Sequence, residues 1–109
     1  MKGMMERRRG TFFMMSSIAG RKVYPDHTVY CGTKYFVHAV SESLRDYLSD
    51  YNVRVIVLSP GVIETEVLSG VLDQQTLADY KANKIKMGGG ISAEIVADLI
   101  LNAYNYPQE

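Results

Sequence analysis

Tryptophan is absent from this chain of 109 residues, and cysteine occurs once, as Cys31. One thiol cannot close an internal disulfide, so a small disulfide-framed scaffold is excluded and a reducing compartment, the cytoplasm by default, is expected. Charge of one sign is not in excess either, because 12 basic and 12 acidic side chains cancel. No whole-molecule field draws the chain onto nucleic acid or an anionic membrane. Long apolar runs are also missing, none approaching the roughly 20 residues of a membrane span, and Met1 to Gly10 carries Glu6 and three arginines where a signal peptide would be apolar. A soluble protein without a membrane or nucleic-acid partner is predicted. No internal repeat or low-complexity tract is visible.

What is present is 47% apolar and 22% charged, enough for one modest core. Met1 to Arg9 reads as the last turns of a helix stopped at Gly10, which suggests sequence upstream. Thr11 to Met15 is a short aromatic and apolar run ended by Ser16 and Ser17, a buried strand. Residues 18 to 27 are turn chemistry. From Thr28, Val37, Val40, Leu44 and Leu48 recur at helical spacing with Glu42, Arg45 and Asp46 between, an amphipathic helix ending near Tyr51. Val53 to Leu58 is β-branched and stops at Ser59, Pro60 and Gly61, a second strand; a helix between two strands implies a parallel pair. A polar loop follows, then a short helix near 73–83, a break at Gly88 to Gly90, and a helix from Ser92, its N-cap, to about Tyr104. The order αβαβαα is an α/β layer, and a parallel pair with so few helices to cover it reads as part of a larger sheet.

Tyr30 and Lys34 stand four apart at the start of the long helix, on one face. A tyrosine hydroxyl ordinarily trades protons near pH 10. To do so near pH 7 it needs a cation beside it, and a unit charge about 4 Å away at an effective dielectric of about 20 supplies about 4 kcal/mol. Lys34 is such a partner. Ser17 ends the preceding strand at the edge where open parallel sheets place ligands, so its hydroxyl could hold a carbonyl beside the tyrosine proton, and Pro60 and Gly61 end the next strand at the same edge. Spacing alone decides nothing, since shuffling would produce about 0.4 such Tyr/Lys pairs by chance, and Tyr80 and Lys84 form a second one. That copy has Val67 thirteen residues upstream, where Tyr30 has Ser17, and is expected to be an ordinary helix pair.

Taken together, Ser16-Ser17-Ile18-Ala19-Gly20, Tyr30-Cys31-Gly32-Thr33-Lys34, and Asn52-Val53-Arg54-Val55 leading to Pro60-Gly61-Val62-Ile63-Glu64-Thr65 resemble the short-chain dehydrogenase/reductase family over roughly residues 1 to 105. The resemblance implies a partial Rossmann-like, doubly wound parallel sheet within one partial catalytic domain, 1–109. Its parts would be a serine strand 11–17, a Tyr/Lys helix 28–51, a strand 53–59, a substrate region or lid 62–91, and a C-terminal helix 92–105. It implies that Ser17 orients the substrate oxygen, that Tyr30 is general acid in reduction and general base in oxidation, and that Lys34 tunes Tyr30 and meets the nicotinamide ribose. Tyr30, Lys34, Pro60, Gly61, Ile63 and Thr65 become contacts of NADP or NAD, with a small carbonyl or secondary alcohol as substrate. Pairing of copies into dimers or tetramers through the 28–51 helix and the helix before it is implied as well for the full-length form. The family's glycine-rich phosphate turn, its Asn-Asn-Ala-Gly segment and its last strand have no counterpart in these residues. Its fourth catalytic residue, an asparagine, is expected upstream of Met1 rather than at Asn52, Asn83, Asn102 or Asn105.

Other features have plainer readings. Arg7, Arg8 and Arg9 suit a solvated helix end better than a nucleic-acid patch. His27, Cys31 and His38 lack a fourth ligand at a zinc spacing, and no metal site is expected. Cys31 reads as a small buried side chain, and Gly88 to Gly90 as a flexible connection rather than a phosphate loop. Two rival functions stand beside the oxidoreductase: a non-catalytic remnant of the family, or a nicotinamide-dependent epimerase or dehydratase.

Overall fold

The computed structural model describes residues 1–65, 69–70 and 72–108. Its elements in chain order are α1 (Lys2–Glu6), β1 (Gly10–Met15), α2 (Thr28–Leu48), β2 (Val53–Leu58), β3 (Ile63–Glu64), α3 (Gln74–Lys86), β4 (Ile91–Ser92) and α4 (Ala93–Asn105). Short 3-10 turns at Ile18–Gly20, Pro25–His27 and Ser49–Tyr51 flank α2. The chain gathers into two compact units, Met1–Pro60 with Ala103–Glu109, and Gly61–Asn102.

In the first unit β1 and β2 pair in parallel, from Gly10 opposite Val53 to Met15 opposite Leu58, and α2 is the crossover between them. Of the apolar positions foreseen on this helix, Leu48 is fully buried with Val53 and Val55, and Leu44 closes around them with Met4, Met5, Phe12, Met14 and Tyr51, whereas Val37 and Val40 are half-buried outside this cluster. Burying a leucine completely is worth about 1.5–3 kcal/mol, so α2 is held mainly by tertiary contact. The helix ends at Leu48 and passes through the Ser49–Tyr51 turn to Asn52, which adopts φ 54°, a left-handed conformation asparagine tolerates. The Asn52 amide donates to the Arg8 carbonyl (3.1 Å), and the Arg8 guanidinium donates to the Asp50 carbonyl (2.7 Å), so the turns entering β1 and β2 brace one another. Arg7, Arg8 and Arg9 are exposed, at the end of α1.

Arg54 lies in the middle of β2, where the sequence shows only a β-branched run. Its guanidinium donates to the Thr11 hydroxyl (3.1 Å) and to the carbonyls of Tyr104 and Tyr106 (both 2.9 Å), satisfying acceptors that a helix end leaves open. The Gln108 amide adds bonds to the carbonyls of Gly10 (3.0 Å) and Asn52 (2.8 Å).

The second unit is more ordered than a polar loop with a short helix. Ile63–Glu64 and Ile91–Ser92 pair in parallel, two strands too short to leave a periodic signal, and α3 runs from Gln74 to Lys86, beyond the predicted 73–83. Asp73 caps it by accepting the Thr76 amide hydrogen (2.7 Å). The chain then turns through Gly88 and Gly89 at φ +83° and +94°, which L side chains rarely adopt. Ser92 accepts the Ile95 amide hydrogen (3.3 Å), as its reading as an N-cap requires. Val67, and residues 66–68 and 71 of the 62–91 region, lie outside the described residues. No helix among the described residues is long and apolar enough to cross a membrane.

Candidate active site

The backbone of β1 and β2 continues pairing past both strand ends. Ser16 N–H donates to the Leu58 carbonyl (2.7 Å) and Ile18 N–H to the Pro60 carbonyl (3.0 Å), which places the tails carrying Ser17 and Pro60 side by side at the C-terminal edge of the parallel pair. This is the edge where open α/β sheets hold ligands. Ser17 is buried, 9% exposed, and its hydroxyl oxygen accepts the Ala19 amide hydrogen (3.2 Å), capping the Ile18–Gly20 turn. That bond uses oxygen lone-pair capacity and leaves the hydroxyl hydrogen to donate.

Docking of this turn on α2 is close. The Ser16 hydroxyl donates to the Lys34 carbonyl (3.2 Å), and a Cβ at Gly20 would stand 2.5 Å from Ser16 Oγ, 2.8 Å from His38 Cδ2 and 2.9 Å from the Lys34 oxygen. Lys34 points back to the strand, its ammonium donating to the Met15 carbonyl (3.3 Å) and lying 5.6 Å from the centroid of the Tyr30 ring. Tyr30 is in the first turn of α2 and 48% exposed. One face of one helix thus carries Tyr30, Lys34 and His38, and the last two touch the tails of the strands.

The remaining sequence-predicted positions fall in the second unit. Gly61 is exposed, Ile63 is half-buried in β3, and Thr65 follows it, exposed. Glu64, between them, is paired with Lys84 at 2.5 Å. Lys84 of the second Tyr/Lys pair is therefore engaged with a carboxylate, and Tyr80 is half-buried on α3. Cys31 is 1% exposed, its sulfur accepting the Tyr24 amide hydrogen (3.3 Å).

Sequence reasoning missed one contact at this edge. His38 Nε2 and Ser59 Oγ are 3.3 Å apart, joining α2 to the residue before Pro60. The signal was available, because His38 follows Lys34 by four and shares its face, but a histidine near a cysteine invites a metal question first.

The family model described as enoyl-(acyl carrier protein) reductase matches residues 1–103. The chain belongs to the short-chain dehydrogenase/reductase family. It is 34% identical over 111 residues to an uncharacterized oxidoreductase of Staphylococcus saprophyticus, covering 97% of this chain and 43% of that protein. Among solved structures it is similar to the closed form of serine dehydrogenase complexed with NADP+, at 32% identity and a TM-score of 0.78 over 99% of this chain and 43% of the other. It is similar also to a 3-oxoacyl-[acyl-carrier protein] reductase with bound NAD from Brucella melitensis, at 29% identity and a TM-score of 0.71 over 92% of this chain and 36% of the other. The chain spans less than half the length of each of these relatives.

Proposed function

We propose that this dehydrogenase/reductase chain carries the proton-transfer side of a nicotinamide-dependent interconversion of a small carbonyl compound and its alcohol. The observation that carries the reading is the joining of the Ser17 turn, Lys34 and the Pro60 tail at one strand edge, with the Lys34 ammonium beside the Tyr30 ring. NADP or NAD, named with the two similar structures, would supply the hydride chemistry when bound.

Lys34 has three N–H donors, and one is directed at Met15, so the ammonium can also meet ribose hydroxyls. Ser17 donates to the substrate oxygen and polarises it. In reduction Tyr30 gives its proton to that oxygen; in oxidation it takes the proton back. Pro60, Gly61, Ile63 and Thr65 are assigned to the nicotinamide side. Tyr30 as a residue is 48% exposed, so its side chain is not sealed in the core.

The same helix has a second proposed role. Val29 and Phe36, 84% and 68% exposed, lie seven apart on one face of α2 and would meet a second copy of the chain.

Tyr30→Phe, in this chain or in a longer polypeptide that carries it, is expected to lower turnover by about 10²–10⁴-fold while NADP or NAD still binds. Near-full activity in the variant would falsify the assignment. A wild-type chain that takes up neither dinucleotide at millimolar concentration would favour the non-catalytic alternative.

A further inference from the structure

We propose that His38 and Ser59 are a pair of positioning residues that fix the Pro60 turn against the Tyr/Lys helix and thereby set affinity for the nicotinamide dinucleotide. The inference rests on the oxidoreductase reading above and adds two residues to it.

The two side chains are half-buried and come from elements 21 positions apart, with Nε2 and Oγ separated by 3.3 Å. Either tautomer of the ring completes the bond, since the hydroxyl can donate to a bare nitrogen or accept from an N–H. Ser59 sits between the two carbonyls, Leu58 and Pro60, that receive the amide hydrogens of Ser16 and Ile18. Anchoring its side chain to α2 therefore fixes the β2 tail at the point where the β1 tail is zipped to it. On its other side the His38 Cδ2 lies 2.8 Å from where a Cβ at Gly20 would stand, beside the end of the turn that Ser17 begins.

His38 thus touches both tails from the same helix face that carries Lys34. The β1 tail already links Lys34 to the β2 tail indirectly, through its bonds to Lys34 on one side and to Leu58 and Pro60 on the other. The His38–Ser59 hydrogen bond adds a direct tie from α2 to the β2 tail beyond Leu58. Losing one neutral hydrogen bond corresponds to roughly a fivefold change in an equilibrium constant.

The experiment combines a ligand-free readout with a cofactor readout on His38→Leu, Ser59→Ala and the double variant. Exchange of the Ile18 amide, whose acceptor is the Pro60 carbonyl, is expected to quicken about fivefold in each single variant and no further in the double. The Kd for NADPH or NADH is expected to rise by a similar factor, with kcat within twofold of wild type, and His38→Gln, which keeps a donor and an acceptor at that reach, is expected to recover most of the loss. Unchanged Ile18 exchange overturns the positioning pair, whatever the cofactor does. Effects that multiply in the double variant, or that reduce kcat in step with thermal stability, also overturn it. If Ile18 responds as expected while the wild-type chain binds neither dinucleotide, the structural tie stands, its effect on affinity is refuted, and the oxidoreductase reading fails separately.

Discussion

A methyl group on Gly20 would stand inside contact distance of three atoms at once, and two of them, the Lys34 carbonyl and the His38 ring, belong to the helix that carries Tyr30. The glycine is needed for closeness rather than for an unusual backbone angle. Gly32, one turn inside the same helix, has open space at the equivalent position. The two glycines make a matched test. Gly20→Ala must push the Ser17 turn away from α2 and is expected to cost about 1–3 kcal/mol, as overpacking does. Gly32→Ala removes a helix-weakening residue and is expected to add about 0.5–1 kcal/mol. Thermal or urea unfolding measures both. Equal effects of the two substitutions would mean that the Ser17 turn is not seated on the helix as described.

Element by element, α3 shows how a segment with little buried surface is held by polar contacts at its ends. Lys84 reaches the Glu64 carboxylate of β3, and Asp73 caps the first turn. The Glu64 carboxyl is held below its ordinary value near 4.5, chiefly by the hydrogen bond from Lys84; desolvation opposes this, and the Lys84 charge and the Gly90 amide add to the lowering. Asp73 is lowered from 3.8 by the Thr76 hydroxyl and then by the Thr76 amide. A carboxyl lowered by folding stabilises the folded form above its unfolded value and loses that contribution as pH falls through the folded one. Amide exchange across Gln74–Lys86 is therefore expected to be steady from pH 7 to about 5, after correction for intrinsic rates, and to lose protection below about pH 4.5. Glu64→Gln with Asp73→Asn should flatten that dependence. A wild-type profile that stays flat to pH 3 would contradict it. These contacts also mark where sequence reading stops. The strand Val53–Leu58 and the helix from Thr28 are legible because β-branched runs and three-to-four spacing repeat over several residues. Two-residue strands repeat nothing, and a pairing such as Glu64 with Lys84, twenty positions apart, depends on a turn that no local pattern announces. At the candidate site the same division holds. Ser17, Tyr30 and Lys34 are proposed from their motifs, whereas the His38–Ser59 contact arises only once the crossover brings α2 over the β2 tail.

For the molecule as a whole, the small core is the controlling fact. Among the described residues the fully buried side chains are Leu48, Cys31 and Ser41, and large apolar groups elsewhere remain in water. On α2 three of these exposed groups, Val29, Phe36 and Tyr47, follow a line, seven and eleven positions apart, on a different side of the helix from the Lys34 and His38 contacts, while Tyr30 and Tyr35 lie off it. A chain with a thin core and an apolar stripe gains stability by covering the stripe, and a second copy offers the same stripe through a two-fold axis. Binding that favours the folded form makes the unfolding temperature depend on concentration. The thermal midpoint is therefore expected to rise across a hundredfold range of protein concentration, and sedimentation is expected to show a dimer at the upper end. Phe36→Glu, which leaves Ser17, Tyr30, Lys34 and the strand tails untouched, should give a monomer whose midpoint no longer moves. A wild-type chain that sediments as a monomer at high micromolar concentration, with a constant midpoint, would remove the self-association proposal while leaving the site proposal to be judged on Tyr30 alone.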